Sequence, residues 1–280
     1  MNASSQSEIL QRIQTALEAA QAVFGRFSPG TIEAECKIGH DPVTEADRLV
    51  DAVLRQHLLR DGEGWLSEES VDDFFRLEKS RVWVVDPLDG TREFVAGIPE
   101  FCVSIAMVEN GCPIVGGICN PATKEIFLGS LASGITYNSK PTRASQKNTL
   151  EGALVLASRS EVMRGQWKAF ENLGFHIQPM GSVAYKLARV SAGLADVTFT
   201  LNPKHEWDVA AGSVLVESAG GFVSTMENTR LRCNNKDPLL PGLVAGGHLL
   251  RNDLFALLES HIKLTGSPFH KKDQDDQAMR

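Results

Sequence analysis

The sequence predicts a mixed fold of the α+β / α/β class, and three observations predict it. Short apolar segments separated by tight-turn dipeptides between residues 81 and 128 read as an antiparallel meander. Beyond residue 150, apolar strands alternate with helical periodicities. Two amphipathic helices stand ahead of both regions.

Taken in order, the first helix is expected over Ser7–Phe27, because Ile9, Ile13, Leu17, Ala20, Phe24 and Phe27 share one helical face and Ser28-Pro29-Gly30 breaks it. A loop through Lys37-Ile38-Gly39-His40-Asp41-Pro42 leads to a second helix from Thr44, whose apolar face is Ala46, Leu49, Val50, Val53, Leu54 and Leu58. Asp47 lies in its first turn, where the helix dipole favours a negative side chain. Gly64–Ser70 reads as a short strand ending in acids, and Arg81–Val85 as a buried strand rich in β-branched valines. Cys102–Val108, Pro113–Asn120 and Glu125–Leu128 are the following strands, turned by Asn110-Gly111 and the loop over residues 121–124.

The second half changes style. Ala153–Ser158 is expected as a strand, Arg164–Leu173 as a helix stopped by Gly174, and Phe175–Pro179 as a strand. Val183–Ser191 reads as helix and Ala195–Thr200 as extended chain. Trp207–Ala219 is an almost wholly apolar helix closed by Gly220-Gly221, which suits a buried helix with a glycine stop. A last helix is expected from about Asn252 to Ile262. The boundaries follow: residues 1–145 form an α+β part with the antiparallel sheet, residues 146–265 an α/β part, and the polar residues 266–280 a disordered tail.

Bulk properties exclude several classes. With a net charge of −7, the chain is a poor candidate for coating a nucleic acid polymer. It contains no apolar run long enough to insert in a membrane. Five cysteines, an odd number without a CxxC pair, argue for reduced thiols and a cytoplasmic setting rather than a disulfide frame. The N-terminus lacks the basic patch and apolar stretch of a signal peptide.

The chemistry concentrates in Trp83-Val84-Val85-Asp86-Pro87-Leu88-Asp89-Gly90-Thr91-Arg92-Glu93-Phe94. Two carboxylates, Asp86 and Asp89, leave the end of a buried strand. Pro87 sets φ between them, and Gly90 lets the backbone approach a ligand closely. Ionised carboxylates in that position need positive charge nearby. Glu68, Asp47 and Asp208 are the other acids in suggestive places, Asp208 because it opens a buried helix. If all five converge, they either bind cations or take up protons. All-oxygen ligation favours Mg²⁺ or Mn²⁺ over Zn²⁺. Gly90 and Thr91 supply backbone N–H groups and a hydroxyl suited to a phosphate. Glu69, Glu93 and Glu100 read as turn, cap or solvated charges, and His205 as a local hydrogen-bonder.

Glu68-Glu69, Asp86-Pro87-Leu88-Asp89-Gly90-Thr91 and Trp207-Asp208-Val209-Ala210-Ala211-Gly212, in this order, resemble the signatures of the inositol monophosphatase superfamily. The resemblance covers roughly Ser7 to Ile262. It implies a layered αβαβα sandwich, a homodimer, and a lithium-sensitive phosphomonoesterase with two or three Mg²⁺ per site, Mn²⁺ being the alternative. It implies Glu68, Asp86, the Leu88 carbonyl, Asp89 and Asp208 as metal ligands. The Gly90 and Thr91 amides would grip the phosphate. Thr91 and Asp47, with Glu68, would serve direct attack by a metal-activated water, without a covalent phosphoenzyme. The stretches Asp89–Phe94, Ser158-Arg159-Ser160 and His205–Asp208 look most like the CysQ-type 3'(2'),5'-bisphosphate nucleotidases, which hydrolyse 3'-phosphoadenosine 5'-phosphate to AMP. That branch would place Ser182 and Lys186 beside the small phosphorylated metabolite. An acid that binds sugar hydroxyls in inositol-specific enzymes falls here at Thr200 or Leu201, and the arginine many nucleotidases carry near that place is also missing. Inositol monophosphatase and fructose-1,6-bisphosphatase activities remain alternatives.

Two rivals differ in class. A haloacid-dehalogenase phosphatase needs aspartates two apart, and Asp86 and Asp89 are three apart. A catalytically silent metal-binding module would be marked by loss of Asp47, Thr91 or a ligand, and all are present.

Overall fold

The computed structural model describes residues 3–32, 34–36 and 42–265; the tail expected to be disordered and the Lys37–Asp41 loop lie outside the described residues. Helix α1 (Ala3–Phe24) ends one turn before the expected Phe27. A two-residue ladder, β1 (Glu35–Cys36) with β2 (Pro42–Val43), precedes α2 (Glu45–Leu58), which Thr44 caps. Strand β3 (Gly64–Ser67) stops before Glu68, and β4 (Arg81–Asp89) runs parallel to it. The five-residue helix α3 (Thr91–Val95) follows at once. Strands β5 (Cys102–Glu109), β6 (Cys112–Asn120), β7 (Glu125–Ser130), β8 (Gly134–Tyr137) and β9 (Lys140–Thr142) then pair antiparallel in sequence order, completing a seven-stranded sheet.

The chain then builds a second sheet. Its elements are β10 (Leu154–Ser158), α4 (Arg159–Met163), β11 (His176–Met180), α5 (Val183–Ser191) and β12 (Val197–Thr200). A short β13 (Lys204–His205) leads into α6 (Glu206–Ser218), and then come β14 (Gly221–Ser224), β15 (Leu239–Leu240), β16 (Leu243–Gly247) and α7 (Arg251–Thr265). The five-stranded sheet has the order β11-β10-β12-β16-β14.

The layers are αβαβα. Trp83 and Val85 of β4, with Val103, Ile105 and Met107 of β5, pack on α1 and α2. Val82, Val84, Ala106 and Val108 point through the other face onto α5 and α6, which also cover Leu156, Leu243 and Ala245 of the second sheet. The outer face of that sheet packs on α7 through Leu254, Phe255 and Leu258. A strand buried on both faces has few polar positions to spare, which is why β4 reads as an apolar run from Val82 to Val85. Among the described residues no helix is long and apolar enough to cross a membrane.

One expected element is corrected. Arg164–Leu173 is not a helix: α4 forms earlier, over Arg159–Met163, and Gly165 follows at φ +75°. The periodic Trp167 and Phe170 are placed by a single 3₁₀ turn and stack around Phe199, with ring centroids 4.3 and 5.1 Å away. Aromatic burial there follows the sheet surface rather than a helix face.

Candidate active site

The site grows from the end of β4. Pairing of β4 with β5 sets Asp86 opposite Ser104 and Asp89 opposite Cys102, so three residues on one strand span two on the other. This is a β-bulge. In a regular strand, residues three apart face opposite ways. The extra residue at Pro87-Leu88 instead turns both carboxylates toward α5 and α6.

Asp86 is buried, and its Oδ1 accepts the Leu88 N–H at 2.9 Å. Its Oδ2 is buried with no hydrogen-bond partner. One oxygen each from Glu68, Asp86 and Asp208 lie within 4.8 Å of one another. Glu68 arrives from the end of β3, its N–H hydrogen-bonded to the Val85 carbonyl of the parallel neighbour. Asp208 occupies the first turn of α6 and accepts the His205 N–H at 3.0 Å through Oδ2. Burial, then repulsion by Glu68, Asp89 and Asp208, pushes the Asp86 carboxyl well above the usual carboxylate range. Burial, then Asp89 and Glu68, does the same to Asp208. A buried carboxylate with one orphaned oxygen, set beside two further carboxylates, is a poor protein interior and a good cation seat. The donor set is all oxygen, so the residues present fit a hard divalent ion.

Asp89 stands beside this trio. Its Oδ2 accepts the Ser182 hydroxyl at 2.7 Å and the Ala184 N–H at 2.6 Å, at the first turn of α5. Burial raises its pKa, against the Ser182 and Ala184 hydrogen bonds and the charge of Lys186. Lys186 is buried too, and its Nζ donates to backbone carbonyls of Met180, Gly181 and Ser182. Burial lowers its ammonium to about 8, with Asp89 the leading opposing influence.

Thr91 opens α3. Its hydroxyl lies 3.2 Å from Asp47 Oδ1 and 3.0 Å from the Leu88 carbonyl oxygen. The other Asp47 oxygen accepts the Thr44 N–H at 2.7 Å and the Thr44 hydroxyl at 2.6 Å, closing a capping box on α2. Asp47 is therefore both cap and site residue. Gly90 sits at φ +99°, where a Cβ would come within 2.8 Å of the Glu100 carbonyl oxygen, so only glycine makes this turn.

Glu68, Leu88, Asp89, Gly90, Thr91, Ser182, Lys186 and Asp208 line one cleft of about 350 Å³, while the buried Asp86 and Asp47 meet its lining through the Leu88 N–H and the Thr91 hydroxyl. Glu68, Asp89 and Asp208 line the cleft, and Arg92, Arg159, Lys186 and Lys204 bring positive charge to it. Two expectations for acids are corrected here. Glu93 is not a solvated surface charge: it lines the cleft, its carboxyl raised by burial and then by Asp89, with Arg159 Nε 3.9 Å from its Oε1. Glu100 is not one either, since its Oε2 accepts the Gly181 N–H at 2.7 Å and also binds Arg159. Thr200 and Leu201 are buried and held by the Glu161 carboxylate, Thr200 Oγ1 donating to it at 2.7 Å. From that connection it is Lys204 and His205 that face the cleft, His205 stacked on Trp207 at 4.5 Å. Local sequence gave no sign of Lys204 or Glu100; Arg159 and Glu93 lay within stretches already singled out, but neither had been given a role there.

The family model for the inositol monophosphatase family matches residues 5–263. The "Nus factor SuhB" of Xylella fastidiosa is 35% identical over 217 residues, covering 74% of this chain and 77% of that one. An "Inositol-1-monophosphatase" of Mesorhizobium japonicum is 31% identical over 254 residues, covering 86% and 92%. The crystal structure of CysQ from Bacteroides thetaiotaomicron superposes with a TM-score of 0.72 at 27% identity, covering 88% of this chain and 99% of that one. A cleft beside a carboxylate trio drawn from β4, the end of β3 and the start of α6 is thus joined to a match over almost the whole length: the chain belongs to the inositol monophosphatase family and is a phosphoric monoester hydrolase.

Proposed function

We propose that this enzyme is a Mg²⁺-dependent, lithium-sensitive phosphomonoesterase whose favoured substrate carries a second anionic group. The best candidate is 3'-phosphoadenosine 5'-phosphate, hydrolysed to AMP and phosphate. The observation behind the substrate choice is the positive charge that lines the cleft together with the carboxylates. Arg159 and Lys204 face the cleft, while Thr200 and Leu201, where a polyol-binding acid would fall, are turned inward onto Glu161. A neutral ring hydroxyl gains little from two cations; a second phosphate gains charge-assisted contacts.

Glu68, Asp86, Asp89, Asp208 and the Leu88 carbonyl would hold the metal. Divalent ions bound there supply positive charge to the phosphoryl oxygens and make a nucleophilic water more acidic. The protein groups do the rest. The Gly90 and Thr91 amides face the phosphoryl group at the start of α3. Thr91 Oγ1 orients the attacking water, and Asp47 Oδ1, 3.2 Å away, receives the proton that leaves it through the hydroxyl. Because the Asp47 Oδ2 is fixed by Thr44, the carboxylate has no freedom to turn from this task. Attack is direct and in line, with no phosphoenzyme.

Inositol 1-phosphate is the second reading, favoured by the names of several relatives. Phosphate release from 3'-phosphoadenosine 5'-phosphate, inositol 1-phosphate and fructose 1,6-bisphosphate, each with Mg²⁺, decides between them. The bisphosphate nucleotide should give the highest kcat/KM; a roughly tenfold preference for inositol 1-phosphate would overturn the assignment. The homodimer is tested separately by light scattering of the eluting peak.

A further inference from the structure

Lys186 is only 2% exposed, and its ammonium is already occupied. Nζ donates to the Ser182 carbonyl at 2.9 Å, to Met180 at 3.3 Å and to Gly181 at 3.4 Å. An ammonium has three protons, and three carbonyls take them. A substrate phosphate at this atom would have to displace one of those contacts.

The three carbonyls belong to one short turn, the passage from β11 into α5. Ser182 crosses it at φ +50°, a conformation that a serine keeps only when its surroundings pin it. What the turn delivers is the grip on Asp89: the Ser182 hydroxyl and the Ala184 N–H both end on Asp89 Oδ2. The same hydroxyl accepts the Tyr185 N–H at 3.0 Å, which fixes its direction. From the opposite side Glu100 holds the Gly181 N–H. The turn is thus clamped through its carbonyls by Lys186, through its amide by Glu100, and through its hydroxyl by Asp89.

We propose that Lys186 is a positioning residue for Asp89, acting through the Met180–Ser182 turn, rather than a ligand of the substrate. The proposal rests on the reading above only in taking Asp89 as part of the metal site. Drawing the three carbonyls onto one cation bends the turn so that Ser182 Oγ and Ala184 N meet one carboxylate oxygen, leaving the other for the cleft. Lys186 thereby sets where the Asp89 charge sits, for every substrate alike.

The test pairs Lys186→Met, which keeps the apolar stem, with Ser182→Ala and the double variant. Mg²⁺ binding is measured by calorimetry, and steady-state kinetics with 3'-phosphoadenosine 5'-phosphate and inositol 1-phosphate. Expected for Lys186→Met is a roughly fivefold or greater weakening of Mg²⁺ binding, a kcat lowered about tenfold on whichever substrates are turned over, and KM within about threefold. The double variant should be no worse than the poorer single one, because both act through one turn. A KM rise confined to the bisphosphate with Mg²⁺ binding unchanged would overturn the proposal, as would fully additive losses. Should Lys186→Met fail to fold, Lys186→Gln, which retains amide donors, is held to the same criteria. If the wild-type protein turns over neither substrate, the substrate reading fails, while the Mg²⁺ titrations still decide the role of Lys186.

Discussion

Replacing Asp208 by asparagine should make the metal-free protein more stable while abolishing turnover. Oxygens of Glu68, Asp86 and Asp208 lie within 4.8 Å of each other. At an effective dielectric of 20, each fully charged pair at that distance repels by about 3 kcal/mol. Asp208 belongs to two of the three pairs. Part of that repulsion is already relieved by proton uptake and by the open cleft, so about 2 kcal/mol is a reasonable net gain. For a chain of this size that is a melting-temperature rise of roughly 3–4 °C in chelator. Asparagine keeps an oxygen to accept the His205 N–H, so the cap of α6 survives the change. The pH dependence has a definite sign. Asp86 and Asp208 have pKa values raised in the fold above the ordinary aspartate value of 3.8, so the folded apo state binds more protons than the unfolded chain. Their contribution to stability is fully present below that value and is lost as pH rises through the elevated folded values. The stabilisation by Mg²⁺ should therefore grow with pH over the same window in the wild type. Calorimetric melts in chelator and in Mg²⁺ across that range provide the assay. An Asp208→Asn protein that melts below the wild type in chelator at neutral pH, or gains as much from Mg²⁺, would refute the reasoning.

Three further outcomes are expected. Thr91→Ala should lower kcat on the order of 10²-fold at little cost in KM, while Thr91→Ser, which keeps the hydroxyl beside Asp47, retains most activity; steady-state rates check both. Lys204→Ala should raise KM for the bisphosphate nucleotide roughly tenfold and leave inositol 1-phosphate nearly unaffected, which the two substrates measured side by side will show. Arg76, 1% exposed, binds Asp72 and reaches Asn234 and the Asn235 carbonyl 158 and 159 residues away; Arg76→Met should cost about 3 kcal/mol in urea unfolding.

The layers were legible because their signals are long-range averages. The apolar runs Val82–Val85 in β4 and Val209–Val216 in α6, the latter broken only by Ser213, point to burial on every side, and the alternation beyond residue 150 to a covered sheet. Short polar strands such as β9, with its Lys140-Pro141-Thr142, have no such signature and form because β8 offers them a partner. The acids were legible singly, through their strand-end and helix-start positions. Their convergence was not, since it depends on β3 and β4 being parallel neighbours. Glu93 and Glu100 show the limit most clearly. Each looks like a surface charge until α3 and the following loop fold back against Arg159 and Gly181.

The bulge in β4 links these facts into one physical account. A straight strand would have sent Asp86 toward α6 and Asp89 toward α1 and α2, into a layer made of Phe94, Phe101 and Leu88. An ionised carboxylate in that layer would meet no donor and no cation. With one extra residue, Asp89 shares a face with Asp86, meets the first turn of α5, and stands across from the first turn of α6. Both helices present first-turn N–H groups without partners inside the helix, one of which, Ala184 N–H, binds Asp89, and the positive ends of their dipoles. These partial charges soften the repulsion among the acids without cancelling it, as the raised carboxyl pKa values show. The remaining imbalance makes a divalent cation the natural complement. A hydrophobic strand, one bulge and two helix starts are together sufficient to turn an otherwise destabilising cluster into a site.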